Sequence, residues 1–122
     1  VERSFQFYVN VLGLRPLALW PQGAYMLAGN FWLALTQDPA TRTKSLPEYT
    51  HLAFTVKQQD FNLAAARIKA SGARIWKENK SEGDSLYFED PDGHKLEIHV
   101  GSWESRLAHF HKYPKPGLKL FD

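Results

Sequence analysis

The sequence contains no cysteine among its 122 residues. Disulfide bonds, thiolate metal ligands and a cysteine nucleophile are therefore excluded, and a reducing compartment suits the chain. It also has no apolar run near the ~20 residues that a membrane-spanning helix needs. Its first residues follow an amphipathic pattern rather than a basic and then apolar leader. We therefore predict a cytoplasmic protein with neither a signal peptide nor a membrane anchor.

A strong excess of charge of either sign is also lacking. The formal net charge is +2, from 15 lysine and arginine residues against 13 aspartate and glutamate residues. The two signs are interspersed, whereas a nucleic-acid-binding surface usually needs clustered basic charge. The sequence therefore gives no support for a nucleic-acid partner. Its length fits one domain with a hydrophobic core.

The second half of the chain follows a β-α-β-β-β pattern. Leu52, Phe54 and Val56 alternate with Tyr49, His51, Ala53 and Thr55, which predicts a half-buried strand over residues 49–56. Asp60 is predicted to cap the following helix, and Gly72 to end it. Further strands are predicted at residues 73–78, 85–89 and 94–100, and an Asp-Pro-Asp-Gly turn joins the last two.

The first half repeats this pattern without its opening strand. A helical stripe of apolar residues ends at Gly13, and strands are predicted at residues 15–20, 24–28 and 31–36. Because internal repetition aligns the two halves, we expect an opening strand of roughly 5–10 residues to be missing from this chain. The alternative is that the protein simply begins with a helix.

The predicted fold class is α+β, with two β-α-β-β-β modules that form a cup-shaped sheet. We expect one domain, in which residues 1–36 are the first module without its opening strand. Residues 49–100 are the second module, and residues 101–122 are a C-terminal helix, over residues 103–110, and an irregular tail.

His51 and Glu97 lie on the polar faces of the first and last strands of the second module, so they would converge on the concave side of the sheet. This pair suits Mn²⁺, Mg²⁺ or a similar divalent ion, although a solvated strand face is an alternative interpretation. Leu33 occupies the position equivalent to Glu97 in the first module. A third ligand would therefore lie in the missing strand, leaving open positions for substrate, as in catalytic metal sites.

Residues 77–87 (KENKSEGDSLY) place lysines, serines and a glycine in a polar loop. Such groups could bind a small anion, or a monovalent cation through carbonyl oxygens, or could form an ordinary solvated hairpin loop. The phosphate-binding pattern GxxxxGK[ST] is absent. Arg106 suits bidentate binding of an anion, but arginine on a surface helix is usually solvated. Trp20, Tyr25 and Trp32 are interpreted as packing residues.

Several segments resemble one known family. YTHLAF around His51, WKENKSEGDSLYF at residues 76–88 and DPDGHKLEIHVG at residues 90–101 are similar to the fosfomycin-resistance glutathione transferases of the FosA type. GAYMLAGNFWLALT extends the resemblance into the first half. DPDGHKLE marks the wider vicinal oxygen chelate superfamily, and its combination with KSEGDSLYF is much more specific.

The resemblance implies a homodimer with strand exchange, in which Mn²⁺ binds the phosphonate and epoxide oxygens of fosfomycin. The glutathione thiolate then opens the epoxide, and no residue acts as a covalent nucleophile. The resemblance assigns His51 and Glu97 as metal ligands, with a third ligand, a histidine, in the missing strand. The implied phosphonate contacts are Lys77, Ser81, Ser85, Tyr87 and Arg106. The implied K⁺ loop contains Asn79, Ser81, Glu82, Gly83 and Ser85. Trp20, Gln22 and Tyr25 are implied near the glutathione groove.

Three alternatives remain at this stage. A fosfomycin epoxide hydrolase needs a carboxylate base, and residues 31–36 offer none. A transferase could also use another thiol, such as bacillithiol or cysteine. Only the resemblance to the FosA type favours glutathione over these thiols. A metal-free drug-sequestering protein of the same fold would not need His51 and Glu97. Without its opening strand, this chain is expected to bind metal poorly.

Overall fold

The apolar stripe at the start of the chain forms a short helix, α1 (Glu2–Gln6), which continues as one π-helical segment (Phe7–Val11). The structure, a computed structural model, describes residues 1–121. Phe5, Phe7 and Tyr8 are buried along this segment. Gly13 then reverses the chain with a φ of +79°, a conformation that glycine adopts without steric cost.

Three antiparallel strands form the first sheet: β1 (Arg15–Trp20), β2 (Gly23–Ala28) and β3 (Phe31–Thr36), in the order β1-β2-β3. Ala24 and Met26 are buried on one face, whereas Tyr25 lies on the other. The outer edge of β3 has no partner strand within residues 1–121. This is the edge beside which the repeat pattern expects an opening strand.

The second sheet contains the complete module. Its elements are β4 (Leu52–Thr55), α2 (Gln58–Ala70), β5 (Ile75–Lys77), β6 (Ser85–Glu89) and β7 (Lys95–His99). The strand order is β4-β7-β6-β5, with β4 parallel to β7 and the other pairs antiparallel. The predicted β-α-β-β-β order and the α+β class are confirmed, although β4 is shorter than the predicted strand.

Helix α2 packs as predicted but begins differently. Its buried residues are Phe61, Ala64, Ala65 and Ile68, which share one core with the apolar residues of β6 and β7. The prediction that Asp60 caps it is wrong, because the N-cap is Lys57 and no side chain caps the helix. Asp60 instead lies in the first turn, where its negative charge interacts favourably with the positive end of the helix dipole.

The Asp-Pro-Asp-Gly turn ties the two halves of the chain together. The Tyr8 hydroxyl donates to Oδ2 of Asp90 at 2.7 Å, and the Ser4 hydroxyl and the Arg3 guanidinium donate to Asp92. Burial, together with the negative charge of Asp90, raises the pKa of Tyr8 far above its ordinary value. The first helix is thereby fixed on the second sheet by charge-assisted hydrogen bonds.

The C-terminal helix, α3 (Trp103–Lys112), extends two residues beyond the predicted end. Ser102 and Ser105 cap it reciprocally, and it has no buried residue. Residues 113–121 contain neither helix nor strand, as predicted, and Asp122 lies outside the described residues. Among residues 1–121, no helix has the length and apolar character needed to cross a membrane.

Candidate metal and substrate site

Parallel pairing of β4 with β7 brings His51 and Glu97 together. Ala53 is the register partner of Glu97, and His51 lies two residues before it on the same face. Nε2 of His51 is 3.0 Å from Oε1 of Glu97. The two side chains are only 16% and 11% exposed. An imidazole nitrogen and a carboxylate oxygen therefore converge in a position largely removed from solvent.

Both members of this pair are oriented by further hydrogen bonds. Nδ1 of His51 lies 2.9 Å from the Tyr49 carbonyl, which can only accept, so Nδ1 carries a proton. Nε2, the other ring nitrogen, faces the Glu97 carboxylate and is the atom through which His51 can bind a metal. The Ser85 hydroxyl donates to Oε2 of Glu97 at 2.9 Å. Such outer partners are typical of metal-binding histidines and carboxylates, so the pair fits a divalent cation.

An aromatic cluster, made of Tyr49, Trp76 and Tyr87, surrounds the His51 ring. The centroids of these three rings lie 5.0, 5.2 and 5.9 Å from that of His51. The Trp76 indole N–H donates to two main-chain carbonyls, those of Phe88 and Leu96. Trp76 is therefore fixed across β6 and β7, and the cluster limits the rotation of His51.

Lys77 adds a positive charge to the same face. Its Nζ lies 4.6 Å from the Tyr49 ring centroid and 4.8 Å from that of Tyr87. It also donates to the Tyr49 hydroxyl at 2.6 Å, and this hydrogen bond is the main reason that the pKa of Lys77 is raised. Tyr87 pairs with both Lys77 and Glu97, so the ammonium group and the carboxylate share one region of the sheet.

The loop between β5 and β6 is held by its own side chains. Asn79 donates to the Gly83 carbonyl at 2.9 Å, and its side-chain oxygen accepts from the main chain and hydroxyl of Ser81. Arg106, from α3, reaches the Glu82 carbonyl at 3.4 Å. The structure thus brings Arg106 to the predicted loop. The assignments of phosphonate and K⁺ contacts to these residues stay predictions.

The glutathione candidates belong to the other sheet. Trp20 and Tyr25 stack edge-to-face with ring centroids 5.0 Å apart, and Trp32 continues the row at 5.1 Å from Tyr25. These three residues pack against one another and are 38%, 37% and 61% exposed, and their interpretation as packing residues stays a prediction. Gln22 lies in the turn between β1 and β2. The row is an open aromatic surface, and its role in binding stays a prediction.

A second group of possible metal ligands lies in the Asp-Pro-Asp-Gly turn and was not predicted. Asp90, Asp92 and His94 place one ligand atom each within 4.8 Å of one another. Asp90 accepts from Tyr8 and from two main-chain N–H groups, and Asp92 accepts from Arg3 and Ser4. Because these carboxylates already accept hydrogen bonds that fasten α1, we interpret the group as structural.

Comparison with known proteins agrees with this architecture. The profile of the Glyoxalase/Bleomycin resistance protein/Dioxygenase superfamily matches residues 1–98. The chain belongs to this superfamily. It is 46% identical to the glutathione transferase FosA of Serratia marcescens over 97% of this chain and 85% of that protein. It is 38% identical to the metallothiol transferase FosB of Shouchella clausii over 92% of this chain and 80% of that protein.

A solved structure shows the same fold. The fosfomycin resistance protein FosX of Listeria monocytogenes, in complex with Mn(II) and a sulfate ion, superposes with a TM-score of 0.75. The identity is 28%, over 90% of this chain and 88% of that one. These relatives confirm the resemblance to fosfomycin-resistance proteins.

Sequence reasoning missed two residues that the structure brings into the site. Tyr49 was predicted to share the face of His51 by the alternation of the strand, and its place in the site could have been predicted from this. Trp76 could not, because its indole reaches β7 only through a sheet order that places β6 between β5 and β7. Both residues contact His51 and neither had been considered as a site residue.

Proposed function

We propose that this chain catalyses the metal-dependent transfer of glutathione to the epoxide of fosfomycin. The observation that carries the proposal is the convergence of His51 and Glu97 beside the ammonium group of Lys77. A cation-binding pair next to a fixed positive charge suits a small, doubly charged phosphonate. The FosA and FosB relatives, named as a glutathione transferase and a metallothiol transferase, support the thiol chemistry.

His51 and Glu97 would hold the metal through Nε2 and Oε1, together with a histidine from an opening strand, and three protein ligands leave positions for substrate oxygens. Mn²⁺ suits this mixed nitrogen and oxygen donor set, and it is the ion in the related FosX structure. When bound, such an ion supplies Lewis acidity to the oxygen that gains negative charge as the epoxide opens. Glu97 is kept in place by Ser85, and His51 by the Tyr49 carbonyl.

The remaining residues would bind and orient the phosphonate. Lys77 and Arg106 would offset its charge, and the Tyr87 hydroxyl would donate a hydrogen bond. The hydroxyls of Ser81 and Ser85, which donate to Asn79 and Glu97 in this structure, would rotate to donate to the phosphonate when it binds. The loop around Asn79 would bind K⁺ through its carbonyls, which adds positive charge without a transferable proton. No side chain is required as a covalent nucleophile because glutathione supplies the sulfur. The reaction would take place in the cytoplasm, where thiols stay reduced.

We further propose that Trp20, Gln22 and Tyr25 contact glutathione, because they contribute to an open surface rich in aromatic rings. A homodimer with strand exchange would complete the site, since β3 and β4 each leave one edge without a partner within residues 1–121. Hydrolysis of the epoxide is less well supported, because β3 offers no carboxylate as a base. A sequestering protein would leave the His51–Glu97 pair without a role.

Product analysis tests the proposal. Fosfomycin is incubated with Mn²⁺ and with glutathione, cysteine or no thiol, and phosphorus NMR identifies the product. This chain is compared with a chimaera that carries the opening segment of the Serratia marcescens relative before Val1. A glutathione adduct is expected from the chimaera, with less than a tenth as much from cysteine, and far less adduct is expected from this chain. A diol formed without thiol would favour hydrolysis, and binding without any product would favour sequestration.

A further inference from the structure

We propose that Tyr49 is a positioning residue that holds the Lys77 ammonium group ready for the anionic group of the substrate; this rests on the proposed function. Tyr49 lies three residues before Leu52, the first residue of β4, and is 56% exposed. It contacts Lys77 in two ways: its hydroxyl accepts a hydrogen bond at 2.6 Å, and its ring lies 4.6 Å from Nζ. Tyr87 bounds the ammonium group from the opposite strand at 4.8 Å.

Tyr49 connects the two parts of the site through different atoms. Its main-chain carbonyl accepts a hydrogen bond from Nδ1 of His51 at 2.9 Å and so orients the proposed metal ligand. Its side-chain hydroxyl accepts from Lys77 and so orients the proposed phosphonate-binding group. Because the two functions use separate atoms, a change of the side chain alone can remove one while keeping the other.

The physical basis is the flexibility of lysine. A lysine side chain loses much rotational freedom when its ammonium group is fixed on an anion. In this structure, Tyr49 and Tyr87 restrict Lys77 before any substrate arrives, so that entropy is lost on folding rather than on binding. The cation–π contacts and the hydrogen bond restrain a partly exposed group for which burial provides little restraint.

The Tyr49→Phe variant separates these contributions because it removes the hydroxyl and retains the ring and the main chain. In the chimaera, we expect about threefold to tenfold weaker binding of methylphosphonate, an unreactive probe, in the presence of Mn²⁺. Affinity for Mn²⁺ alone should stay unchanged. Tyr113→Phe is the matched control, since Tyr113 is 57% exposed and also has a lysine, Lys112, over its ring.

A double-mutant cycle decides whether Tyr49 acts through Lys77. In a Lys77→Ala background, Tyr49→Phe should cause no further loss of methylphosphonate affinity. Proton NMR of the ligand-free chain gives an independent readout. The Hε protons of Lys77 should be shifted upfield by the two tyrosine rings, and Tyr49→Phe should reduce that shift.

The possible results separate this inference from the proposed function. Additive losses in the cycle, or unshifted Lys77 protons in the unmutated chain, would overturn the role of Tyr49 even if fosfomycin is a substrate. If neither this chain nor the chimaera bound methylphosphonate, the result would contradict both the proposed function and the role of Tyr49. Shifted Lys77 protons with non-additive losses would support both.

Discussion

Nε2 of His51 lies 3.0 Å from Oε1 of Glu97, although 46 residues separate the two along the chain. The parallel pairing of β4 and β7 creates this proximity, since it sets Ala53 opposite Glu97. Ser85 and the Tyr49 carbonyl then fix the orientation of each partner. The proposed metal site depends on this pair more than on any other contact.

Replacing His51 by alanine should weaken Mn²⁺ binding by at least about a hundredfold, because it removes a ligand, whereas loss of an outer partner already costs about tenfold to a hundredfold. Electron paramagnetic resonance of free Mn²⁺, measured on the chimaera, gives the affinity. His94→Ala is the matched control, since His94 belongs to the other group of possible ligands. A larger loss in His94→Ala than in His51→Ala would place the metal at the turn instead.

Lys77→Ala should raise the KM for fosfomycin about tenfold to a hundredfold, since a charge-assisted hydrogen bond to the phosphonate is lost. Mn²⁺ affinity should change little, because Lys77 does not contact the metal pair. Steady-state kinetics with saturating glutathione measures the effect. Lys80→Ala, an exposed lysine of the same loop, provides the control. Equal effects of the two variants would show that only general positive charge matters.

Gly23→Ala should raise the KM for glutathione, because Trp20 is proposed to contact the tripeptide. A Cβ atom at position 23 would lie 2.3 Å from the Trp20 ring, so the indole must move away. The expected change is about threefold to tenfold in KM, with Mn²⁺ affinity unaltered. Trp20→Ala, measured in parallel, should give a change of similar size. An unchanged KM in both variants would remove Trp20 from the glutathione site.

Tyr8→Phe should lower the free energy of unfolding by about 1–3 kcal/mol at neutral pH, because the buried Asp90 carboxylate loses a donor. The pKa of Tyr8 is raised in the folded state. Its contribution is therefore fully present below about pH 10, the ordinary tyrosine value, and declines as the pH rises further. Urea unfolding at neutral and alkaline pH should show the difference between the two proteins narrowing. Tyr113→Phe should show no such difference.

The sequence predicts much of the second module because alternation and helical periodicity are local. Every buried position of α2 follows from its spacing in the sequence, and so does the orientation of His51 and Glu97 toward one face of the sheet. The start of α2 does not follow from the sequence, because Asp60 is by its residue type an equally suitable N-cap. The chain instead enters the helix at Lys57, before Asp60 is reached.

Contacts across strands are what the sequence could not provide. The prediction of a strand from residue 49 fails at its start because the Tyr49 carbonyl accepts from the His51 side chain rather than joining the sheet ladder. Trp76 reaches the site only because β6 and β7 lie beside β5 in that order. Such contacts depend on tertiary pairing, which no local pattern encodes.

The most direct measurement of the central claim is the rate of glutathione–fosfomycin adduct formation as Mn²⁺ is titrated into metal-free chimaera and into its Glu97→Gln variant. The account predicts a rate that rises and saturates in step with bound Mn²⁺, and almost no adduct in the variant at the same concentrations. Full activity without Mn²⁺, or an unchanged titration in Glu97→Gln, would contradict the assignment of His51 and Glu97 as the metal site.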